Sequence, residues 1–182
     1  EAGKFYAVAL FQGDAHFDGA RLLPVSNKHK QELAGIGKGQ VINGEKRLAF
    51  YVARYDAEIA YVDQEIGRLL AEMGKQKLLD DTLTAFTSDH GESLGEHGYY
   101  FNHGRFGFQT CLHVPLVLHW PGRLKPAVDK APVQLLHLAP TLLAAAGVKL
   151  DEGRWAQGQS LWPRVANPPE AAAAAAILSF SE

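Results

Sequence analysis

The segment TAFTSDHGESLGEHGYYFNHG, Thr84 to Gly104, gathers Asp89, His90, Glu92, Glu96, His97 and His103 into one short reach. Carboxylates and imidazoles at this density raise the question of metal ligation. Asp89 and His90 follow an apolar run, so they stand where a strand ends and the chain turns away. Two adjacent side chains can both reach one point there, because strict alternation between faces has stopped. Gly91 permits a sharp turn directly after them. A carboxylate oxygen beside an imidazole nitrogen makes half a shell for a divalent cation. The blander alternative has Asp89 capping a turn and His90 simply exposed. Glu92 and Glu96 read as loop-ordering or solvated carboxylates, and His97 as a residue that holds the loop or lines a pocket.

The elements that would position these groups alternate between strand and helix. Residues 5 to 11 (FYAVALF) are a short apolar run bounded by Gly13-Asp14 and read as a buried strand. Residues 19 to 47 are rich in Gly, Lys and Asn and read as a mobile excursion; their GIGKGQ lacks the Lys-Ser/Thr ending of a phosphate loop. Val52, Tyr55, Ile59, Val62, Ile66, Leu69 and Met73 recur at steps of three and four, which predicts a helix stopped at Gly74. Asp63 and Glu65 fall off that stripe and read as solvated. Asp80-Asp81 form a turn before a buried strand at 82 to 87, and a second strand follows at 114 to 120, closed by Pro121-Gly122. Residues 140 to 146 form a short helix with Pro in its first turn and Gly147 beyond its end. This alternation predicts an α/β fold with a mostly parallel sheet flanked by helices. Asp89 and His90 then lie at the carboxyl end of a strand, where such sheets place their ligands.

Composition excludes several classes. With 182 residues, 47% of them hydrophobic and 21% charged, the chain suits an ordinary globular core. A net charge of −2 without a basic run gives no footprint for nucleic acid. Cys111 alone cannot form an internal disulfide, and it reads as a small buried side chain. No apolar run approaches the ~20 residues of a membrane span. The start, Glu1-Ala2-Gly3-Lys4, carries neither an initiator Met nor a signal-peptide pattern, so the chain reads as part of a longer protein.

Four stretches in this order, YDAEIAYVDQEIGRLL, DDTLTAFTSDHGESLGEHG, HVPLVLHWPG and LAPTLLAAAGV, resemble the C-terminal part of the catalytic domain of sulfatases. Sulfatases belong to the alkaline-phosphatase-like superfamily. The resemblance covers residues 1–162, with 163–182 expected to be a linker towards a smaller C-terminal subdomain. Within that segment Ala171–Ala176 favour helix, and LSFSE resembles the strand that leads into the subdomain.

The resemblance implies roles for particular residues. Asp89 and His90 inherit the pair that ligates a divalent metal, calcium in most members. His103, in FNHG, stands where a Lys or His contacts the sulfate. His16, in GDAHFDG, inherits a place beside the leaving-group oxygen, although Ala15 replaces the family's usual Pro. His113 stands where an Arg is usual and His137 where an Asp often precedes LAPT, while His119 reads as structural. Sulfatases also require a cysteine within Cys-X-Pro-Ser-Arg, converted to a formylglycine nucleophile, and a pair of Asp metal ligands near the mature N-terminus. Neither occurs in these residues, so the isolated chain is expected to be inactive.

The implied activity is metal-dependent hydrolysis of a small-molecule or glycan sulfate ester, outside the cytoplasm: periplasmic, secreted or lysosomal. A phosphoryl-transfer relative is the alternative, either a phosphonate or phosphodiester hydrolase or a phosphoethanolamine or phosphoglycerol transferase, with manganese or zinc better suited to His90. A non-catalytic, degenerate copy is the third reading.

Overall fold

The sequence LAFYVARYDAEIAYVDQEIGRLLAEMGK is dense in Ala, Leu and Glu, all strong helix formers. It forms helix α1, Leu48–Lys75, in the computed structural model. The structure describes residues 41–149 and 157–167, and the backbone of 177–179. The expected strand at 5 to 11, GIGKGQ, His16, most of the 19 to 47 excursion and Ala171–Ala176 lie outside the described residues.

Before α1, the Glu45 carboxylate accepts hydrogen bonds from the backbone N–H of Lys46 and Arg47, each at 2.9 Å, and pairs with the Arg47 guanidinium. The helix ends as the Gln76 N–H returns to Glu72 O and Lys77 turns into the left-handed region at φ 55. Its buried face differs from the expected stripe. Ala49, Tyr51, Ala53 and Ala57 are buried, whereas Ile59 is 53% exposed. Alanines let the first half of α1 approach the neighbouring strand β2 (Ser93–Leu94) closely. Tyr51 supplies the bulk there, stacked on Phe101 with ring centroids 4.4 Å apart. Glu65 pairs with Arg68 at 3.0 Å on the outer face.

Strands β1 (Thr84–Thr87), β4 (Pro115–His119) and β5 (Ile177–Ser179) form one sheet in the order β1–β4–β5. The α/β class stands, but the expected parallel pairing does not appear among the described strands. Thr84 faces His119, Thr87 faces Leu116, and Leu116 faces Leu178, all antiparallel. Residues 88 to 114 explain the reversal between β1 and β4. They carry a small ribbon of β2 and β3 (Tyr100–Asn102) and the four-residue helix α2 (Gln109–Leu112), with no crossover helix to return the chain in the same direction. The expected run at 82 to 87 is buried only in part: Thr82 and Leu83 are buried and Thr84 and Thr87 half-buried, whereas Ala85 and Phe86 are exposed. β4 is the central strand, with Leu116 and Leu118 inward and Pro115 and His119 outward.

The core gathers Leu83, Val114, Leu116, Leu118, Trp120 and Val133. Helix α3 (Leu138–Ala145) and helix α4 (Trp162–Ala166) cover it, the latter bringing Trp162 to 5.9 Å from Trp120. Thr141 joins these parts: its hydroxyl donates to His137 O at 2.6 Å and accepts the Leu161 N–H at 2.8 Å. His137, in the place of an Asp cap, instead accepts the Gln159 N–H on Nδ1 at 2.9 Å. Within the segment expected as a linker, α4 and β5 are therefore built into the fold. No described helix is long and apolar enough to cross a membrane.

Candidate metal and anion site

β1 ends at Thr87, and short hydrogen bonds fold the next residues into a tight turn. Ser88 Oγ donates to His90 O at 2.7 Å, and Asp89 Oδ1 accepts the His90 N–H at 2.9 Å. The rest of the Asp89 carboxylate faces solvent, with 81% of its side chain exposed. His90 Nδ1 lies 2.8 Å from Gly91 O. A carbonyl only accepts, so Nδ1 holds the proton and the lone pair is left on Nε2. Gly91 clamps the turn against α2. Its N–H donates to Cys111 O at 2.7 Å, and a Cβ there would stand 2.1 Å from Thr110 O.

The ribbon then carries the chain back to this turn. Ser93 is fully buried and donates to Tyr99 O at 2.7 Å, while Glu96 Oε2 accepts the Leu94 N–H at 2.8 Å. Glu96 thus orders the loop. His97 takes a left-handed conformation at φ 56 and stacks on Phe108 with centroids 4.4 Å apart, in keeping with a loop-holding part. Ser93 faces Asn102 across the antiparallel ribbon. Glu92 and His103 are one residue outward on each strand, and so form its next cross-strand pair. His103 Nδ1 donates to Glu92 Oε2 at 3.0 Å. Its backbone is also held, the N–H by Asn102 Oδ1 at 2.8 Å and the C=O by the Tyr99 hydroxyl at 3.0 Å.

The His103 ring stacks on the His90 ring, with centroids 3.8 Å apart and planes at 26°. The structure therefore brings Asp89, His90 and His103 together with Glu92, and places His16 outside the described residues. Sequence reasoning left Glu92 among the solvated or loop-ordering carboxylates. Its side chain is only 23% exposed, and its Oε1 is buried without a hydrogen-bond partner among the described residues. On the other side stands Tyr55 of α1, whose phenol is pushed above its ordinary pKa by burial, then by the charges of Glu92 and Asp56. The Glu92–His103 contact is set by the ribbon register, which a shift between Ser93 and Leu94 hides from the sequence.

The donors suit a divalent cation. Proton placement on the His90 Nδ1, held by a backbone carbonyl, is the usual arrangement for a histidine that ligates through Nε2. Asp89 Oδ2 and His90 Nε2 lie 3.9 Å apart, which two ligands at ~2.0–2.6 Å from a shared ion can span. Among the described residues no group of three His, Cys, Asp or Glu side chains could hold a metal. Asp89 and His90 could supply two ligands of such a shell.

This antiparallel-sheet unit, with an Asp-His turn at a strand end and a second imidazole laid over it, can be compared with known proteins. The Sulfatase family model matches residues 12–148, and the chain belongs to the sulfatase family. The choline-sulfatase of Rhizobium meliloti (strain 1021) is 40% identical over 112 residues, 61% of this chain and 21% of that protein. The N-acetylglucosamine-6-O-sulfatase of Bacteroides thetaiotaomicron is 33% identical over 144 residues, 76% of this chain and 25% of that protein. Among solved structures, one described as in complex with its substrate D-glucosamine-2-N,6-O-disulfate superposes with a TM-score of 0.60 at 34% identity, over 74% of this chain and 27% of that one. The phosphonate monoester hydrolase from Silicibacter pomeroyi gives a TM-score of 0.63 at 29% identity, over 74% of this chain and 26% of that one. The chain spans about a quarter of the length of these relatives.

Proposed function

We propose that this chain forms part of a metal-dependent sulfate-ester hydrolase, acting on a small-molecule or glycan sulfate outside the cytoplasm. The observation that carries the reading is the placement of His103 directly over His90, beside Asp89. That juxtaposition supports reading an anion contact beside a metal half-shell, an arrangement that suits transfer of a sulfuryl group. Asp89, through its free carboxylate end, and His90, through Nε2, are assigned to the metal, which we take to be calcium. A divalent ion held by Asp89 and His90 would supply Lewis-acid polarisation to the oxygens of an ester. His103 has Nδ1 engaged with Glu92, so Nε2 is the ring atom left for the sulfate, and in its protonated form it donates a charge-assisted hydrogen bond. That bond strengthens as charge builds on the transferring group, which is what lowers a barrier. His16 is assigned to the leaving-group oxygen on sequence alone. Attack on sulfur is assigned to a formylglycine outside these 182 residues, and the isolated chain is expected not to turn over.

The experiment is a comparison of the longer enzyme that carries this chain with the chain alone, on an aryl sulfate. The enzyme should hydrolyse it and lose activity with Asp89→Ala, and the chain alone should not. Turnover by the isolated chain that Asp89→Ala abolishes would overturn the assignment of the nucleophile.

A second reading has specific support in the likeness to a phosphonate monoester hydrolase. Here the same half-shell would serve phosphoryl transfer, with manganese or zinc bound through His90. Relative rates on matched aryl sulfate and aryl phosphonate esters, with metal analysis of the purified enzyme, distinguish the two.

A further inference from the structure

We infer that Glu92 is a positioning residue for His103, an inference that rests on the proposed anion contact and adds a part that neither the sequence nor the family likeness assigns. Among the described residues, its side chain pairs with His103 Nδ1 at 3.0 Å and not with Asp89 or His90.

Three features set the geometry. The ribbon register places residues 92 and 103 opposite each other, so the contact comes from the backbone and not from a chance side-chain rotamer. Both backbone hydrogen-bonding groups of His103 are already held, by Asn102 and Tyr99, which fixes where its Cβ points. What remains free is rotation of the ring, and two contacts remove it: the stack on His90 fixes the plane, and Glu92 fixes which edge turns inward. A flip of the ring about its terminal bond would exchange a nitrogen edge for a carbon edge. With Nδ1 tied to Glu92, Nε2 faces away from the carboxylate, where an anion would be met.

The second oxygen of Glu92 makes the structural alternative less economical. Oε1 is buried with no hydrogen-bond partner among the described residues. A buried carboxylate oxygen left in that state costs stability, which an apolar residue of similar size would avoid. The carboxylate is explained by what Oε2 does to His103.

The test uses the longer enzyme that carries this chain, with Glu92→Ala, Glu92→Gln and His103→Ala. Kinetics on an aryl sulfate, bound metal and the downfield Nδ1 proton resonance of His103 are measured together. Glu92→Ala is expected to lower kcat about 10- to 100-fold, the usual cost of losing a residue that orients a functional imidazole, with bound metal unchanged and the resonance lost. Glu92→Gln, whose amide oxygen still accepts from Nδ1, is expected to restore most of kcat and the resonance. If Glu92→Ala does not fold, Glu92→Asp withdraws the acceptor by one methylene while keeping its charge, and should lower kcat in the same way. Unchanged kcat in Glu92→Ala or Glu92→Asp, while His103→Ala is slow, overturns this inference alone. An equal loss in the Ala and Gln variants that follows lost folded protein also overturns it. Unchanged kcat in His103→Ala overturns the underlying assignment of the anion contact.

Discussion

His103 lies over His90 with their ring centroids 3.8 Å apart, although twelve residues lie between them and each is held by a different device. A turn bonded to its own backbone fixes His90, whereas a cross-strand carboxylate and two backbone contacts fix His103. One imidazole therefore forms a wall for the other. The proposed metal half-shell and anion contact are neighbours without sharing a hydrogen bond, so substitutions should separate their effects.

Asp89→Ala removes the charged group proposed as a metal ligand, and in the longer enzyme it should lower metal affinity and activity together. His103→Ala should leave the metal bound and lower kcat by about 10²–10³, the typical cost of one lost donor to a developing oxyanion. Metal stoichiometry measured beside kcat and KM checks both halves. A structural His103 would instead show lost folded protein with normal kinetics in what survives.

Gly91→Ala should damage the site without touching a functional group. The added Cβ would stand 2.1 Å from Thr110 O, which is backbone in α2 and cannot swing aside. The turn must move, stretching the Gly91 N–H to Cys111 O bond of 2.7 Å. Overpacking of this kind typically costs about 1–3 kcal/mol. Thermal unfolding should show a lowered Tm, and metal affinity should fall because Asp89 and His90 shift with the turn. An unchanged Tm would mean that the clamp is not as tight as its geometry.

The Asp-His turn was legible in the sequence because its chemistry is local: a strand run, two ligand-type residues and a glycine lie in one stretch. His103 was reached only through resemblance, since nothing in its own neighbours marks it. Glu92 was missed for a related reason. Its partner is set by the pairing of β2 with β3, and the register shifts between Ser93 and Leu94. A bulge of that kind hides the pairing from any simple alternation count. The antiparallel pairing of β1 with β4 was not legible because alternating strand and helix signals do not show which strands pair, and the segment between them holds only short elements. The α1 stripe missed the buried positions Ala49, Ala53 and Ala57, because alanine contributes little to a hydrophobic pattern yet packs most closely.

Thr141→Val should loosen the cover of the core. The Thr141 hydroxyl is nearly inaccessible, and it ties His137 O and the Leu161 N–H at once. Valine fits the space but leaves the Leu161 N–H without that acceptor, at a cost of about 1–3 kcal/mol. Denaturant unfolding should show a lowered midpoint at an unchanged slope. Thr141→Ser keeps the hydroxyl and should recover most of the loss. If valine and serine were equally stable, the hydrogen bonds would not be what holds α3 to residues 157 to 161.

The entry into α1 should weaken in acid, because Glu45 is more acidic in the folded chain. Its carboxyl is lowered from 4.5 to about 2, chiefly by the side-chain hydrogen bond from Arg47, then by the Arg47 and Lys46 backbone N–H groups against some desolvation. The same contact raises the Arg47 guanidinium. For a depressed carboxyl the stabilisation is fully present above the unfolded value, near 4.5. It falls away as pH drops from there and is gone below about 2. The Arg47 partner is well exposed, so salt should weaken the effect. An NMR titration of the Glu45 side chain, with amide exchange at Leu48 to Tyr51, reads it directly. The carboxyl midpoint should lie far below 4.5, exchange should quicken through the same range, and Glu45→Gln should make exchange there insensitive to acid. A midpoint near 4.5 would show that the carboxylate gains nothing from Arg47 in the folded chain.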